Sequence, residues 1–505
     1  MGDYLALMMF PALLLALFLG FPVAFSMMGV ALFFGLVTFD TAVIFQFVQK
    51  VDAMASNFVL AAVPLFIFMG SMLERSGIAG KLFEAVHLWT RRLPGGLAVG
   101  TIVMCVIFAA STGVIGATET VVGLLAIPVM LKYAYDKGLI SGTICAGGSL
   151  GTIIPPSVVV VVLGPVADVS VGDLFVGMIF PGLIMATLYI AYILIRCTID
   201  PKAGPVLPKS DDEPSLIEKV RITLIALAPP VAMIVAVLGS IMFGFAAPTE
   251  AAALGAFGSI LLAVIYKQFS LSILHEAVLK TLKVTCMIML ILLGGNMFAG
   301  VFVASGGVAL AEDLIKAANL APWATLSVFL FICFVAGFIL DWISVLLIFI
   351  PVFIPIVKSM GFDPVWFCVL FLVVIQTSYL TPPMAPAIFY LRGISPPEIT
   401  LRHMFQGVIP FHGNIVFGEQ LVLQDFFGAQ AVTAVYQGHV FGNVRQVQRF
   451  LHGGVAAADN RYLLALVEKA VAGRAGRHAL AHKGLFRGQT EVAGRGAGGD
   501  DQCIA

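Results

Sequence analysis

Residues 151–157 read G-T-I-I-P-P-S, and residues 378–384 read S-Y-L-T-P-P-M. Proline has no N–H to donate and clashes with the carbonyl four residues back, so each Pro-Pro pair predicts an interruption of its apolar helix. The surroundings of the two pairs match. Ile127-Pro128 precedes the first pair and F-V-G-M-I-F-P at 175–181 follows it. Ile350-Pro351 precedes the second and M-F-Q-G-V-I-P at 404–410 follows it. The order is the same in both halves: hairpin, helix broken by Pro-Pro, polar link, next helix. In lipid, backbone groups freed by such breaks are tolerated only where they are buried in protein or line a cavity.

Working outward, apolar runs fall near 5–20, 22–38, 58–73, 97–118, 119–135, 139–163, 174–196, 221–242, 247–266, 284–303, 323–340, 342–357 and 364–391. The 505 residues are 60% hydrophobic and 11% charged, with a mean hydropathy of +1.04. Soluble domains carry about 25% charged residues, so this composition excludes a cytosolic enzyme and predicts an integral membrane protein. The first run lacks a basic leader and a cleavage site, which predicts a retained helix. The 28 basic residues balance the 28 acidic ones, and zero net charge argues against nucleic acid as a partner. Seven scattered cysteines without metal-ligand spacing read as apolar filler.

If 97–135 and 323–358 each form a re-entrant hairpin, most basic residues fall on one face, Arg75, Arg91, Arg92, Lys132, Arg196 and Lys267 among them. The other face holds Lys50, Lys316 and Lys358. The positive-inside rule makes the first face cytoplasmic and the N-terminus periplasmic. The hairpins then enter from opposite sides, so the repeats are inverted. Inverted repeats with paired broken helices mark a secondary transporter. The expected fold is therefore all-α and multi-spanning. Residues 1–198 hold the N-terminal helices and first repeat, 199–220 a cytoplasmic linker, and 221–411 the second repeat.

Carbonyls freed at the breaks, with nearby hydroxyls, suit hard cations, and half-helix N-termini favour an anionic group. The first tip, A-A-S-T-G-V-I-G-A-T-E-T at 109–120, is small and hydroxylated; the second is G-F-I-L-D-W-I-S at 337–344. Asp341 could order its tip or take part in coupling, and Glu119 could hold the first turn by local hydrogen bonds. Glu250, beside Pro248, reads as a helix N-terminal carboxylate. His87 and His275 read as interface residues. The G-G-S-L-G stretch at 147–151 fits a hydrolase nucleophile pattern, but it lies within an apolar helix rather than at a strand-to-helix turn. No nucleotide-binding loop stands out, so this chain's own ATP hydrolysis is not the expected driving force.

Several stretches carry a family resemblance: P-L-F-I-F-M-G-S-M-L-E-R-S-G-I-A at 64–79, R-L-P-G-G-L-A at 92–98, G-T-I-I-P-P-S at 151–157, P-T-E-A-A-A at 248–253 and L-T-P-P-M at 380–384. Over residues 1–411 the chain resembles the large membrane subunit of tripartite ATP-independent periplasmic (TRAP) transporters. G-V-I-G-A-T-E-T and L-D-W-I-S are similar to the branch associated with mannitol or chloroaromatic acids. The resemblance implies a bacterial inner-membrane, elevator-type carrier that takes up an organic acid, with sodium ions for coupling and no other cofactor. It also implies a periplasmic substrate-binding protein and a small four-helix membrane subunit, which is expected as a separate chain.

By that resemblance and the repeat, one sodium site involves Ser111, Thr112, Gly113, Gly151, Thr152 and Pro155. The other involves Asp341, Ser378, Thr381 and Met384. Thr118, Pro156, Ser157 and Pro383 fall in the substrate vicinity. A self-sufficient ion or dicarboxylate transporter of the same architecture is the alternative, distinguished by uptake without a binding protein.

Residues 412–505 have a different texture. None of the 26 prolines lies there, yet the stretch is rich in glycine and histidine and polar overall. The resemblance and the repeat both require a further apolar helix after 404. The expectation is that this helix is missing and that 412–505 is frame-shifted sequence, which resequencing of the locus decides.

Overall fold

The computed structural model describes residues 5–113, 116–207, 214–382 and 385–415. Among the described residues, 5–12 and 23–415 form one compact unit, which holds both repeats. The regular elements among the described residues are all helices, with no strand. Before the first repeat come α1 (Leu5–Phe18), α2 (Val23–Phe39), α3 (Ala42–Ala55), α4 (Ala62–Arg75) and α5 (Ile78–Thr90). The first repeat comprises α6 (Gly96–Thr112), α7 (Ala117–Lys132), α8 (Lys137–Ser149), α9 (Val158–Ala167) and α10 (Val171–Ile199). Between the repeats lie α11 (Leu216–Met242), α12 (Pro248–Ile265), α13 (Leu271–Ala304) and α14 (Gly307–Ala317). The second repeat comprises α15 (Pro322–Ala336), α16 (Trp342–Ser359), α17 (Pro364–Leu380), α18 (Pro386–Ile394) and α19 (Leu401–Ile415). Among the described residues, six helical stretches are long and apolar enough to cross a bilayer: 58–75, 171–199, 216–242, 248–265, 271–304 and 342–359.

The repeat holds at the level of single residues. Asp136 caps α8 by accepting from Leu139 N at 2.9 Å, and Asp363 caps α17 by accepting from Trp366 N at 2.7 Å. The spacing from Asp136 to Asp363 is that from Pro155 to Pro382, 227 residues, so the two broken helices share one register. Each helix stops where expected. α8 ends in a 3-10 turn at Leu150–Thr152 and does not resume until Val158. α17 gives way to extended Thr381 (φ −97°, ψ 127°), and α18 starts after Ala385 in the left-handed region (φ 30°).

A third Pro-Pro pair corrects the rule that such pairs must interrupt a helix. Pro229 and Pro230 lie inside α11, which runs continuously from Leu216 to Met242. Pro229 leaves the Ile225 carbonyl without its helical donor, and the Tyr266 hydroxyl, at the end of α12, donates to that carbonyl at 3.1 Å. Neighbouring helices can re-satisfy groups freed by proline in this way. Tyr266→Phe removes the replacement donor, and the expected cost is about 1 kcal/mol. A fall in the melting temperature of the detergent-solubilised protein, with secondary structure unchanged, checks it.

Several polar residues hold the framework. Glu74 and Lys280 form an ion pair between α4 and α13, and Arg75 pairs with Glu276 at 2.9 Å on the same two helices. Glu250 accepts from Ala247 N at 2.8 Å and completes the N-terminus of α12, as read from the sequence. His87 on α5 is held by its neighbours. It packs edge-on against Phe83 (centroids 3.9 Å apart) and against Gly100, and burial lowers its pKa to about 4, so it is neutral at pH 7.

The start of the linker is built into the base of the first repeat. Gly95 N donates to Gly204 O at 3.0 Å, and Asp136 N donates to Ala203 O at 2.9 Å. The Tyr135 hydroxyl donates to Pro205 O at 3.0 Å while accepting from Leu97 N at 3.2 Å. Leu207 N donates to Arg91 O at 3.3 Å. Residues 208–213 lie outside the described part.

α19 opens where the repeat places the counterpart of α10. It packs on α8 through glycines: a Cβ on Gly407 would overlap the Gly138 carbonyl oxygen, and one on Gly142 would overlap the Gly407 carbonyl oxygen. Phe411 is fully buried against Tyr189 and Tyr192, with ring centroids 5.4 and 4.9 Å away. The helix extends to Ile415, and the stretch read as frame-shifted lies, from residue 416 on, outside the described residues.

Candidate functional site

Each hairpin tip is seated on the broken helix of its own repeat. In the first, α6 ends at Gly113 in the left-handed region (φ 58°), and its carbonyl accepts from Val158 N at 3.3 Å. A Cβ on Gly113 would come within 2.6 Å of the Pro156 carbonyl oxygen and 3.5 Å of the Ser157 Cα. On the other side, a Cβ on Gly70 of α4 would lie 2.5 Å from the Thr112 carbonyl oxygen. Small residues at 70 and 113 therefore let three backbones meet at one point. In the second repeat the contact is at Gly337, where a Cβ would meet Ser378 Cβ and come within 3.1 Å of Ser378 Oγ.

The hydroxyls at both breaks share one arrangement. Ser111 Oγ and Thr112 Oγ1 donate to Phe108 O at 2.7 and 3.0 Å, and Thr152 Oγ1 shares its proton between Ser149 O at 2.8 Å and Gln376 Oε1 at 3.0 Å. Ser378 Oγ donates to Ile375 O at 2.5 Å, and Thr381 Oγ1 to Thr377 O at 2.7 Å. A hydroxyl whose proton is given to its own helix keeps its oxygen lone pairs for another ligand. Thr112 and Thr118 also face each other, with hydroxyl oxygens 3.3 Å apart. Ser157 Oγ is buried at the first break without a hydrogen-bond partner. Oxygen donors of this kind, hydroxyl and backbone carbonyl, fit a hard monovalent cation. No cluster of three or more His, Cys, Asp or Glu that could hold a metal ion occurs among the described residues.

The two tip acids have distinct surroundings. Glu119 is fully buried, and its Oε2 accepts from Gly116 N at 2.5 Å, holding the turn as the local reading expects. Its side chain lies on Gly148 of α8, where a Cβ would come within 2.7 Å of Oε1. Asp341 caps α16 by accepting from Ile343 N at 3.2 Å and from the Ser344 hydroxyl. Of the two roles left open for it, tip-ordering is the one its hydrogen bonds serve. Both carboxyls lie within electrostatic reach of Tyr379 and Tyr390. Tyr390 of α18 also lies against the first tip, where its ring would be 3.0 Å from a Cβ on Gly116.

The structure thus brings Thr112, Gly113, Pro156 and Ser157 together at the first break. Ser111, Gly151, Thr152 and Pro155 are buried around them. At the second break it brings the tip to Ser378, with Thr381 one turn on. Pro383 and Met384 lie outside the described residues. Two residues were not singled out from the sequence. Tyr390 shows no pattern there. Gln376 is a fully buried amide that bonds Ser149 and Thr152. Its signal is register, since it precedes Pro382 by the same interval that separates Ser149 from Pro155. Ser149 is the residue of the hydrolase-like G-x-S-x-G pattern, and here its hydroxyl donates to Ala146 O at 2.9 Å within α8.

Residues 10–429 match the family described as the tripartite ATP-independent periplasmic transporter, DctM component. The chain belongs to that family. The C4-dicarboxylate TRAP transporter large permease of Pseudomonas aeruginosa is 29% identical over 347 residues, 68% of this chain and 80% of the relative. The ectoine/5-hydroxyectoine large permease of Ruegeria pomeroyi is 30% identical over 391 residues, 76% and 89% of the two chains. The sialic acid large permease of Vibrio cholerae is 28% identical over 396 residues, 78% and 90%. At the level of fold, the YdaH transporter of Alcanivorax borkumensis superposes with a TM-score of 0.58 at 15% identity, over 84% of this chain and 98% of that one. As a DctM-family large permease, the chain is a multi-pass inner-membrane transport protein and not an enzyme. It works with a small membrane subunit and a periplasmic substrate-binding protein.

Proposed function

We propose that this permease imports an organic acid from the periplasm, driven by a sodium gradient, with one cation held at each hairpin–break junction. The observation that carries the reading is the duplicated seat, Gly113 on Pro156–Val158 and Gly337 on Ser378. At each junction a hydroxyl, Thr112 at the first and Ser378 at the second, has given its proton to its own helix and retains lone pairs. C4-dicarboxylates, sialic acid and ectoine, named for the relatives, all carry a carboxylate, which supports an organic acid as the cargo class. The charge asymmetry of the loops supports a periplasmic N-terminus and hairpins entering from opposite sides. The carboxylate would lie near Thr118, Ser157 and the start of α9, where helix N-terminal N–H groups favour an anion.

The test needs no knowledge of the cargo. A ligand that binds only the folded state raises stability by mass action, roughly 3 kcal/mol at a hundredfold excess over its Kd. Thermal unfolding of the purified protein in sodium, against potassium at equal ionic strength, should show a sodium-specific rise. Thr381→Ala removes one oxygen at the second break and should weaken that rise while leaving the midpoint in potassium nearly unchanged. Equal midpoints of the parent protein in the two salts would refute sodium coupling.

A further inference from the structure

A polar cluster between the two repeats shares Thr152 with the first cation site, while its other members, Gln376 and Ser149, have no part in the sites so far assigned. Gln376 of α17 is fully buried, and its Nε2 donates to Ser149 Oγ at 3.0 Å. Its Oε1 lies 3.0 Å from Thr152 Oγ1, whose single proton is shared between this oxygen and Ser149 O. Because the Ser149 proton goes to Ala146 O, the Ser149 oxygen is free to accept, and this orients the amide. The two bonded positions, 149 and 376, are equivalents in the shared register of the broken helices. The bond therefore joins corresponding points of the two repeats.

Its neighbours at either end give this link a consequence. Thr152 belongs to the 3-10 turn that terminates the first broken helix. Ser378, two residues beyond Gln376, is the residue on which the second hairpin tip rests. The cluster is not required to satisfy the hydroxyls, since Ser149 and Thr152 each have a carbonyl acceptor within their own helix. A methionine at 376 would fill the space with no amide to satisfy, so what the amide adds is the connection itself.

We infer that Gln376 is a positioning residue that couples the two cation sites: ordering of the 149–152 turn by a cation fixes the amide, and the amide fixes the end of α17. Occupancy of one site then raises the affinity of the other, and by linkage the effect is reciprocal. The inference rests on the sodium reading proposed above.

The experiment is a sodium titration of the melting temperature at constant ionic strength, on the full chain and on Gln376→Met. The parent should respond sigmoidally, with a Hill slope approaching ~2 for two coupled sites. Gln376→Met should keep the parent's midpoint in potassium, while its slope falls to ~1 and its half-saturating sodium rises severalfold. A loss of packing alone would lower the midpoint in potassium and leave the slope as it was. If Gln376→Met does not fold, Ser149→Ala, which removes one of the two bonds, should lower the slope in the same direction. An unchanged slope in the variant, or a parent slope of ~1, overturns the coupling and leaves sodium binding standing. A parent that does not distinguish sodium from potassium overturns the sodium reading, and the coupling with it.

Discussion

Gly407→Ala is expected to prevent accumulation of folded protein. The added methyl would overlap the carbonyl oxygen of Gly138 and lie 2.8 Å from its carbon and 3.0 Å from Gly142 N. All three are backbone atoms of α8, so no side chain can turn aside. Small residues are what allow membrane helices to approach this closely. Relief requires α19 to move away from α8, which would also pull Phe411 from its place between Tyr189 and Tyr192. Overpacking typically costs 1–3 kcal/mol, and a backbone-on-backbone clash belongs at the upper end, about 3 kcal/mol or more. Monodisperse yield on size exclusion and the melting temperature in detergent measure it. Gly142→Ala, which meets the Gly407 carbonyl, should behave alike, whereas Gly393→Ala, with nothing within 4 Å of the new atom, should match the parent. Parent-like melting of Gly407→Ala would mean the two helices lie farther apart than described.

Gly113→Ala should separate transport from folding. A side chain at φ 58° costs ~1–2 kcal/mol of backbone strain, and its methyl would approach the Pro156 carbonyl oxygen to 2.6 Å. The tip can relieve the clash by lifting from the break, which is local and leaves the helix packing elsewhere intact. Initial uptake in proteoliposomes supplied with the binding protein should fall at least tenfold, since ~1.4 kcal/mol at the site corresponds to a factor of ten. The melting temperature in potassium should drop by only a few degrees, and the sodium-specific rise should be lost. Uptake at the parent rate would show that the tip need not touch the break for transport.

The sequence makes the duplicated breaks legible because proline chemistry is local: a missing N–H and a ring clash need no knowledge of the partner helix. The same locality misleads at Pro229-Pro230, where the Tyr266 hydroxyl, 41 residues beyond the Ile225 carbonyl it bonds, supplies what proline removed. The tip of the first hairpin is readable from A-A-S-T-G, since close approach demands small residues. Its second contact, Tyr390 against Gly116, depends on how α18 folds back and has no local signature. Gln376 falls between these cases. As a lone amide in V-V-I-Q-T-S it says little, and only the alignment of the two repeats shows that it faces Ser149. Amphipathic α3 and α14 were not among the expected spans, because a search for continuous apolar runs passes over helices with one polar face.

The hydrogen bonds that fasten residues 203–207 to the base of the first repeat shorten the tether between the two halves. Only residues 208–215 remain between Leu207 and the first residue of α11. A peptide spans at most ~3.3–3.6 Å per residue, so this leash reaches roughly 30 Å at full stretch, about the thickness of a bilayer's hydrocarbon core. That length is an upper bound on the separation of Leu207 from Leu216 while the fastening is intact, and any larger separation must first unfasten Gly204 from Gly95 and Ala203 from Asp136.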